Sequence, residues 1–310
     1  MQGKLDLMHV QADEMRVRGC KIIPWMALAM MVSTRLWLGG VVSVHRDRRL
    51  AESLLALVKA CCQPLAAVLI LTDGWSAYPG SIRRAFREKI KRVSGRGRCR
   101  LQVWPAILIG TVIKKTVKKR VVEVIRRLRQ GEAGAAMALL AASGGGSQLN
   151  TAFIERLNAT FRERLASLTR RCRHAARSVC RLEAGMWLVG CTYNFCWPHH
   201  ELSRRAARFQ ERRGEVLLTP AMASALTDHV WSVRELLTFR VPPPPWVAPK
   251  RHGRPPTASR AGKVSRSARP LHLRPLLRLR KGVLCPSTNK DVKPRQFYSN
   301  KIPGSDSVRE

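Results

Sequence analysis

The fold of this chain is restricted most by an unbroken apolar run at residues 65–71, which ends just before Asp73 and Gly74. A strand that is apolar on both faces is usually a central strand, covered by other elements on each side. Strand composition also marks three earlier segments, at residues 5–17, 25–32 and 36–44. Leucines at helical spacing follow in residues 50–62. Strands, a helix and then a buried strand predict an α/β fold, in which helices flank a sheet.

A long helix is predicted to begin near residue 150, after a linker rich in glycine and serine. Asn150 and Thr151 are its candidate caps. Apolar residues recur there at steps of three and four, so one helix face packs into the core and Glu155 lies on a neighbouring stripe. Other helical patterns occupy residues 134–142, 183–195 and 220–239.

Four consecutive prolines at residues 242–245 end this pattern, because proline continues neither a helix nor a central strand. Residues 241–310 contain 16 Lys and Arg against 3 acids, a net charge of 16 − 3 = +13 with few large apolar residues, which indicates disorder. We therefore predict a folded core at residues 1–205, a helical extension at 206–240, and a proline-rich linker with a disordered basic tail at 241–310.

The charge of the chain indicates a polyanionic partner. Lys and Arg number 57 against 20 acids, which gives a net charge of +37. Nucleic acid is the first candidate, with a generally basic proteome or anionic lipid as alternatives. Two basic stretches, at residues 83–100 and 114–129, are interpreted as solvated faces.

The nine cysteines form no even framework and follow no secretory signal, which predicts reduced thiols in the cytoplasm. The apolar stretch at residues 22–34 is too short for a membrane span and predicts a buried strand.

Acidic residues are scarce, so their positions are informative. Asp13 and Glu14 follow the first predicted strand, Asp73 terminates the most buried one, and Glu155 lies on the long helix. Three converging carboxylates repel one another by about 4 kcal/mol per pair at an effective dielectric constant near 20. Two Mg²⁺ or Mn²⁺ ions would offset this repulsion and support phosphoryl transfer. The alternative is that Asp73 is an ordinary turn residue, Glu155 a helix surface acid and Asp13 a strand-end charge.

Three blocks of sequence resemble the DDE transposases of small bacterial insertion sequences. The blocks are Gln11–Met15, then Thr72–Trp75 with Tyr78, then Asn150 and Phe153–Asn158 with Arg162, and the resemblance covers residues 5–202. It implies a ribonuclease-H-like fold with one aspartate on the first strand, a second after the fourth strand and a glutamate on a later helix. Asp13, Asp73 and Glu155 would be the catalytic metal ligands. Adjacent residues of a strand point to opposite faces, so the strand pattern alone does not show whether Asp13 or Glu14 is the metal ligand. The resemblance indicates Asp13.

The resemblance also implies a reaction and a partner. In this family, metal-activated water cleaves a transposon end in double-stranded DNA, and the exposed 3′ hydroxyl then attacks target DNA, with the enzyme forming a homo-oligomer on DNA at the nucleoid. Arg156, Asn158 and Arg162 are candidate contacts to DNA phosphates, with solvent-facing helix charge as the alternative. In the tail, Arg251, Gly253 and Arg254 resemble an AT-hook for the minor groove, or bind phosphate without specificity.

One departure from the family keeps other functions open. Family members usually carry a DNA-binding segment before the core, whereas twelve residues precede Asp13 here. This predicts a fragment or a decayed copy. Two alternatives to a working transposase follow from it, namely a catalytically inactive DNA-binding remnant and a ribonuclease-H-like nuclease that cuts without joining.

Overall fold

The structure of the protein is a computed structural model, and it describes residues 5–19, 23–90, 98–118, 120–169, 175–210 and 216–241. The strands are β1 (His9–Arg16), β2 (Trp25–Met31), β3 (Trp37–Ser43), β4 (Val68–Asp73), β5 (Arg87–Ile90), β6 (Arg100–Val103), β7 (Ile107–Val117) and β8 (Arg120–Gln130). The helices are α1 (Arg48–Cys61), α2 (Ala77–Ala85), α3 (Ala133–Ala142), α4 (Ala152–Arg164), α5 (Val179–Phe195), α6 (His200–Gln210), α7 (Pro220–Ala223) and α8 (Val233–Thr238). A short 3₁₀ turn follows α4 at Ala166–Leu168.

Within the described residues, a six-stranded mixed sheet forms the centre of the protein, in the order β3-β2-β1-β4-β7-β8. The first three strands form an antiparallel meander, β1, β4 and β7 run parallel, and β8 returns antiparallel to β7. β4 has neighbours on both sides and its residues are buried up to the last one. The prediction of a central, covered strand from the apolar run is therefore confirmed.

Helices cover both faces of this sheet. On one face α1 and α2 pack through Leu54 and Tyr78 against a cluster that contains Val10 and Ala12 of β1. The other face contains Met15 of β1, against which α4 and α5 pack. α3 covers Leu69 and Leu71 of β4 on that second face. The predicted α/β class, a mixed sheet flanked by helices, is confirmed at this level.

The basic run at residues 114–129, which the sequence predicts only as a solvated face, lies largely in β7 and β8. β7 is buried from Ile107 to Val112 and exposed from Lys114 onwards, and β8 is exposed along most of its length. β8 is an edge strand of the sheet, and edge strands tolerate many charged residues. These charged residues hide the alternation of polar and apolar residues that marks a strand. The segment at residues 22–34 contains the buried strand β2, as predicted. Among the described helices, none has the length and apolar character needed to cross a bilayer.

The predicted boundary at residue 205 falls inside α6. Beyond α6, the Ser224 hydroxyl hydrogen bonds to that of Thr34 at 2.8 Å, and the Trp231 amide donates to the Phe195 carbonyl at 3.0 Å. These contacts join residues 216–241 to the sheet and to α5, and Met1–Pro243 forms one compact unit. The predicted amphipathic element at 220–239 consists of the short helices α7 and α8 with a turn between them. The predicted tail, with its AT-hook-like Arg251, Gly253 and Arg254, lies outside the described residues.

Candidate metal centre

The register between β1 and β4 brings two aspartates together. The parallel pairing of these strands ends at Ala12 opposite Thr72, and the next residue on each strand is Asp13 or Asp73. Paired residues of parallel strands lie on the same face of the sheet, so both aspartates face the side that α4 covers. Carboxylate oxygens of Asp13, Asp73 and Glu14 all lie within 4.8 Å of one another.

Asp13 is the most strongly perturbed of these acids. Its Oδ2 accepts a hydrogen bond from the Asn158 side-chain amide at 2.7 Å, and its Oδ1 accepts one from the Glu14 backbone at 2.9 Å. Burial, together with the nearby charge of Asp73, raises the pKa of Asp13 to about 7. Near neutral pH this carboxyl is therefore close to its titration midpoint, and a cation beside it would favour the ionised form.

Glu14 lies on the opposite face of β1 and is 9 % exposed. Its Oε1 accepts hydrogen bonds from Nε of Arg46, at 2.8 Å, and from Nη2 of the same guanidinium. Burial and the charge of Asp73 raise the pKa of Glu14, whereas the Arg46 hydrogen bond opposes that rise. Nη2 of Arg46 also lies 3.9 Å from Oδ2 of Asp73, so one guanidinium joins both acids.

Two indole rings position Arg46. Its guanidinium carbon lies 5.1 Å from the ring centre of Trp25 and 4.7 Å from that of Trp75. Such cation–π contacts stabilise a guanidinium and restrict its rotamers. Trp75 in turn packs edge-on against the fully buried Tyr78 at 5.2 Å, so Tyr78 belongs to the packing beneath the site.

The backbone after β4 fixes Asp73. Its Oδ1 accepts a hydrogen bond from the Trp75 amide at 3.0 Å, which is an Asx turn. Burial raises the pKa of Asp73, and the Trp75 amide and Arg46 act in the opposite direction. Asp73 is therefore both the turn residue expected before a glycine and a member of the acidic cluster.

Glu155 lies in the first turn of α4, across an open cleft from Asp73. The cleft has a volume of about 620 Å³ and is lined by residues that include Arg46, Asp73, Lys114 and Glu155. Oε1 of Glu155 accepts hydrogen bonds from Nζ of Lys114 at 2.5 Å and from the Thr151 hydroxyl at 2.6 Å. The charge of Glu155 contributes to the raised pKa of Asp13, but its oxygens are outside the group that lies within 4.8 Å. The structure thus brings Asp13 and Asp73 together with Glu14, and places Glu155 at the same cleft, paired with Lys114.

A buried side chain of β1 holds the start of α4. Oε1 of Gln11 accepts hydrogen bonds from the amides of Phe153 at 3.1 Å and Ile154 at 3.0 Å. Its Nε2 donates to the Asn150 carbonyl at 2.8 Å. Asn150, expected as a cap, does accept from the Ala152 amide at 3.2 Å. Thr151 occupies the N-cap position without a capping hydrogen bond, because its hydroxyl donates to Glu155 instead.

The three candidate phosphate contacts on α4 have different environments. Arg156 is exposed and Arg162 is half-buried. Asn158, however, is 2 % exposed, and its amide is directed at Asp13. The prediction that Asn158 contacts DNA phosphate does not agree with this buried position. Asn158 lies on α4 beside the core face, and this part of the helix is covered by β1.

Sequence inspection missed several residues of the site, namely Gln11 as a cap, Glu14 as a cluster member, Arg46 and Lys114. The motif at residues 11–15 contained a signal for the first two, because a polar residue in an otherwise buried strand needs a partner. No feature of the sequence distinguishes Arg46 and Lys114 from the other Lys and Arg residues, which number 57 in total.

The acidic cluster has the donors that a hard divalent cation prefers. Three carboxylates offer oxygen ligands, and Mg²⁺ is usually held by one or two carboxylates with water completing its coordination. Within the described residues, one buried oxygen beside Asp13, Oδ1 of Asn158, also has no hydrogen-bond partner. Buried polar atoms are rarely left unpaired, so this oxygen fits a site that takes up an ion or its water ligands. Searches of protein-family models and of curated proteins find no match to this chain.

Proposed function

We propose that this protein is a divalent-metal-dependent DNA transposase of the DDE type, which cleaves DNA strands and joins them to a target. One observation carries the proposal: Asp13 and Asp73 lie side by side where the parallel pairing of β1 and β4 ends, and Glu155 borders the same cleft as Asp73. Clefts at the carboxyl ends of parallel strands are where α/β proteins usually bind substrate.

The placement of the three acids supports a ribonuclease-H-like core. Asp13 is on the first strand, Asp73 ends the fourth strand, and Glu155 is on a helix that follows the sheet. This is the distribution that the resemblance to the transposases implies. The antiparallel meander followed by parallel strands agrees with a mixed sheet of that kind.

Asp13 and Asp73, with Glu14 or Glu155, are the residues that would hold the metal. A bound Mg²⁺ or Mn²⁺ pair supplies charge neutralisation and stabilisation of the attacking and leaving oxygens in phosphoryl transfer. The chain itself orients these acids: Asn158 fixes the Asp13 carboxyl, and the Trp75 amide fixes that of Asp73. Arg46 offsets part of their mutual repulsion.

The cleft also attracts the phosphodiester backbone. Arg46 and Lys114 line it together with the acids, and the whole chain has a net charge of +37. A DNA phosphate beside Lys114 competes with Glu155 for the ammonium group. Arrival of DNA therefore favours release of Glu155 from Lys114.

A nicking and joining assay tests the proposal. Supercoiled plasmid and a labelled linear duplex are incubated with the protein and Mg²⁺ or Mn²⁺, and nicked and covalently joined products are measured. Asp73→Asn and Glu155→Gln are expected to reduce both products at least about 100-fold, because the metal site contributes several kcal/mol. Glu163→Gln is the matched control, since Glu163 is an exposed acid on the same helix as Glu155. Unchanged activity of Asp73→Asn would remove the proposed mechanism, and nicking without joining would indicate a nuclease.

A second candidate is a DNA-binding protein without catalytic activity. The observation that favours it is the pairing of Glu155 with Lys114, which leaves Glu155 outside the close cluster of acids. Metal-independent DNA affinity with no nicking in either Mg²⁺ or Mn²⁺ would support this candidate over the enzyme.

A further inference from the structure

A second cleft, about 520 Å³ in volume, lies on another side of α4 from the acids. Its lining includes Arg35, Arg156, His199 and Arg205. We propose that this basic cleft binds a phosphate of a DNA strand and holds that strand on α4. The identification of the polymer as DNA rests on the proposed function, whereas the binding of phosphate follows from the cleft itself.

Arg35 is the residue that most requires an anion. It is 5 % exposed, and its guanidinium stacks 3.9 Å from the centre of the Phe153 ring. Nη1 donates to the Val32 carbonyl, and no carboxylate pairs with Arg35 among the residues that the structure describes. Burial and the charge of Arg205 lower the pKa of Arg35 to about 10. A buried cation surrounded by other cations is costly unless an anion neutralises it.

The other lining groups increase the positive charge of the cleft. Arg156 is exposed and makes no ion pair within the described part of the chain. Arg205 bonds to Glu201 at 3.1 Å, and Glu201 is shared with Arg204, so this one acid does not neutralise the three arginines of the cleft. Three guanidinium groups thus line the cleft against one carboxylate, that of Glu201.

The three arginines favour a phosphate group as the ligand of this cleft. Guanidinium groups match phosphate oxygens through paired N–H donors, and contacts of this kind position DNA without reading its sequence. The two clefts border the same helix, α4.

Binding of a fluorescein-labelled duplex, measured by anisotropy over a range of salt concentrations in EDTA, tests the proposal. The double variant Arg156→Gln, Arg205→Gln is expected to bind about tenfold more weakly at intermediate salt and to reduce the slope of log Kd against log salt by about 1, the value for one lost phosphate contact. Arg204→Gln is the matched control, because Arg204 is adjacent on α6 and shares Glu201 but does not line the cleft. Arg35 is left intact, so that folding is not at risk.

The outcomes separate this inference from the proposed function. If the slope of log Kd against log salt is the same for the double variant and for Arg204→Gln, the proposal that the basic cleft binds DNA phosphate is overturned. This holds even if the protein nicks DNA. A reduced slope with no nicking supports the cleft and rejects the enzyme. The alternative ligand, free phosphate, is tested by thermal unfolding with inorganic phosphate. If phosphate stabilises the unmodified protein but not the double variant, while DNA affinity is unchanged, the cleft binds a small anion and the DNA assignment is overturned.

Discussion

The side-chain oxygen of Gln11 accepts hydrogen bonds from the backbone amides of Phe153 and Ile154. Gln11 and Ile154 are 143 residues apart in the sequence. A strand residue two positions before Asp13 therefore fixes the start of the helix that carries Glu155. Gln11→Met keeps the size of this side chain but leaves two amides without a partner. We expect it to reduce the free energy of unfolding by about 1–3 kcal/mol, measured by urea denaturation.

The matched control for this prediction is Gln148→Met, because Gln148 is exposed in the loop that precedes α4. It should change the free energy of unfolding by less than about 0.5 kcal/mol. Equal effects of the two variants would contradict the capping role of Gln11.

The pKa of Asp13 predicts how stability depends on pH. Its folded pKa is about 7 and its ordinary value is 3.8, so the folded protein binds the proton more tightly than the unfolded chain does. Stability is therefore greatest below about pH 4 for this group and falls as the pH rises through 7. Asp13→Asn should flatten this decline and raise the free energy of unfolding at pH 8, by about 4 kcal/mol at most. Thermal unfolding at several pH values measures this, with the exposed Asp6→Asn as a control that keeps the decline.

Addition of metal should reverse the same decline. If Mg²⁺ binds the acidic cluster, it stabilises the folded protein at pH 8 by about 2.7 kcal/mol at 100 times its dissociation constant. Protonation of Asp13 competes with the ion, so the gain should be smaller at pH 5. Asp73→Asn is expected to abolish it. Calorimetry with MgCl₂ provides the measurement, and an equal gain in Asp73→Asn would place the bound ion elsewhere.

Arg46 is expected to stabilise the metal-free protein and to compete with metal. Arg46→Met leaves the buried Glu14 carboxylate without its cation, which should lower the free energy of unfolding at pH 8 by about 3 kcal/mol or more. The same variant should gain more stability from Mg²⁺ than the unmodified protein does. Arg48→Met is a suitable comparison, since Arg48 pairs with Glu52 on the surface and such pairs contribute about 0–1 kcal/mol. Loss of the Mg²⁺ response in Arg46→Met would show that Arg46 supports metal binding.

Two helical glycines give opposite predictions for substitution by alanine. A Cβ at Gly190 of α5 would lie 2.1 Å from Cζ3 of the buried Trp37, so Gly190→Ala forces the helix away from the sheet and should cost about 1–3 kcal/mol. A Cβ at Gly80 of α2 meets no atom within 4 Å. Gly80→Ala should therefore stabilise by about 0.5–1 kcal/mol through helix propensity. Denaturant unfolding of both variants tests the pair, and a stabilised Gly190→Ala would contradict the close packing of α5.

Much of the fold followed from local patterns. The run before Asp73 is apolar on both faces, which identified the central strand, and the three-and-four spacing after Asn150 identified α4 and its core face. These features depend on residues close together in sequence, and periodicity reports such features directly.

The remaining features depend on contacts between distant parts of the chain. Lys114 binds Glu155 because β7 pairs with β4 in a particular register, and no local pattern encodes that register. Asn158 was predicted to contact DNA phosphate, since helical spacing alone does not reveal that β1 passes close to it. The strands β7 and β8 were missed because their charged residues mask the alternation that marks a strand.

The position of Arg46 between Trp25 and Trp75 provides an optical reporter that needs no added dye. Indole emission responds to a neighbouring charge, and these two rings are among eight tryptophans in the chain. Any ligand that draws the guanidinium away from Glu14 would alter their fluorescence. Occupancy of the cleft can therefore be followed in real time, in solution and without a label.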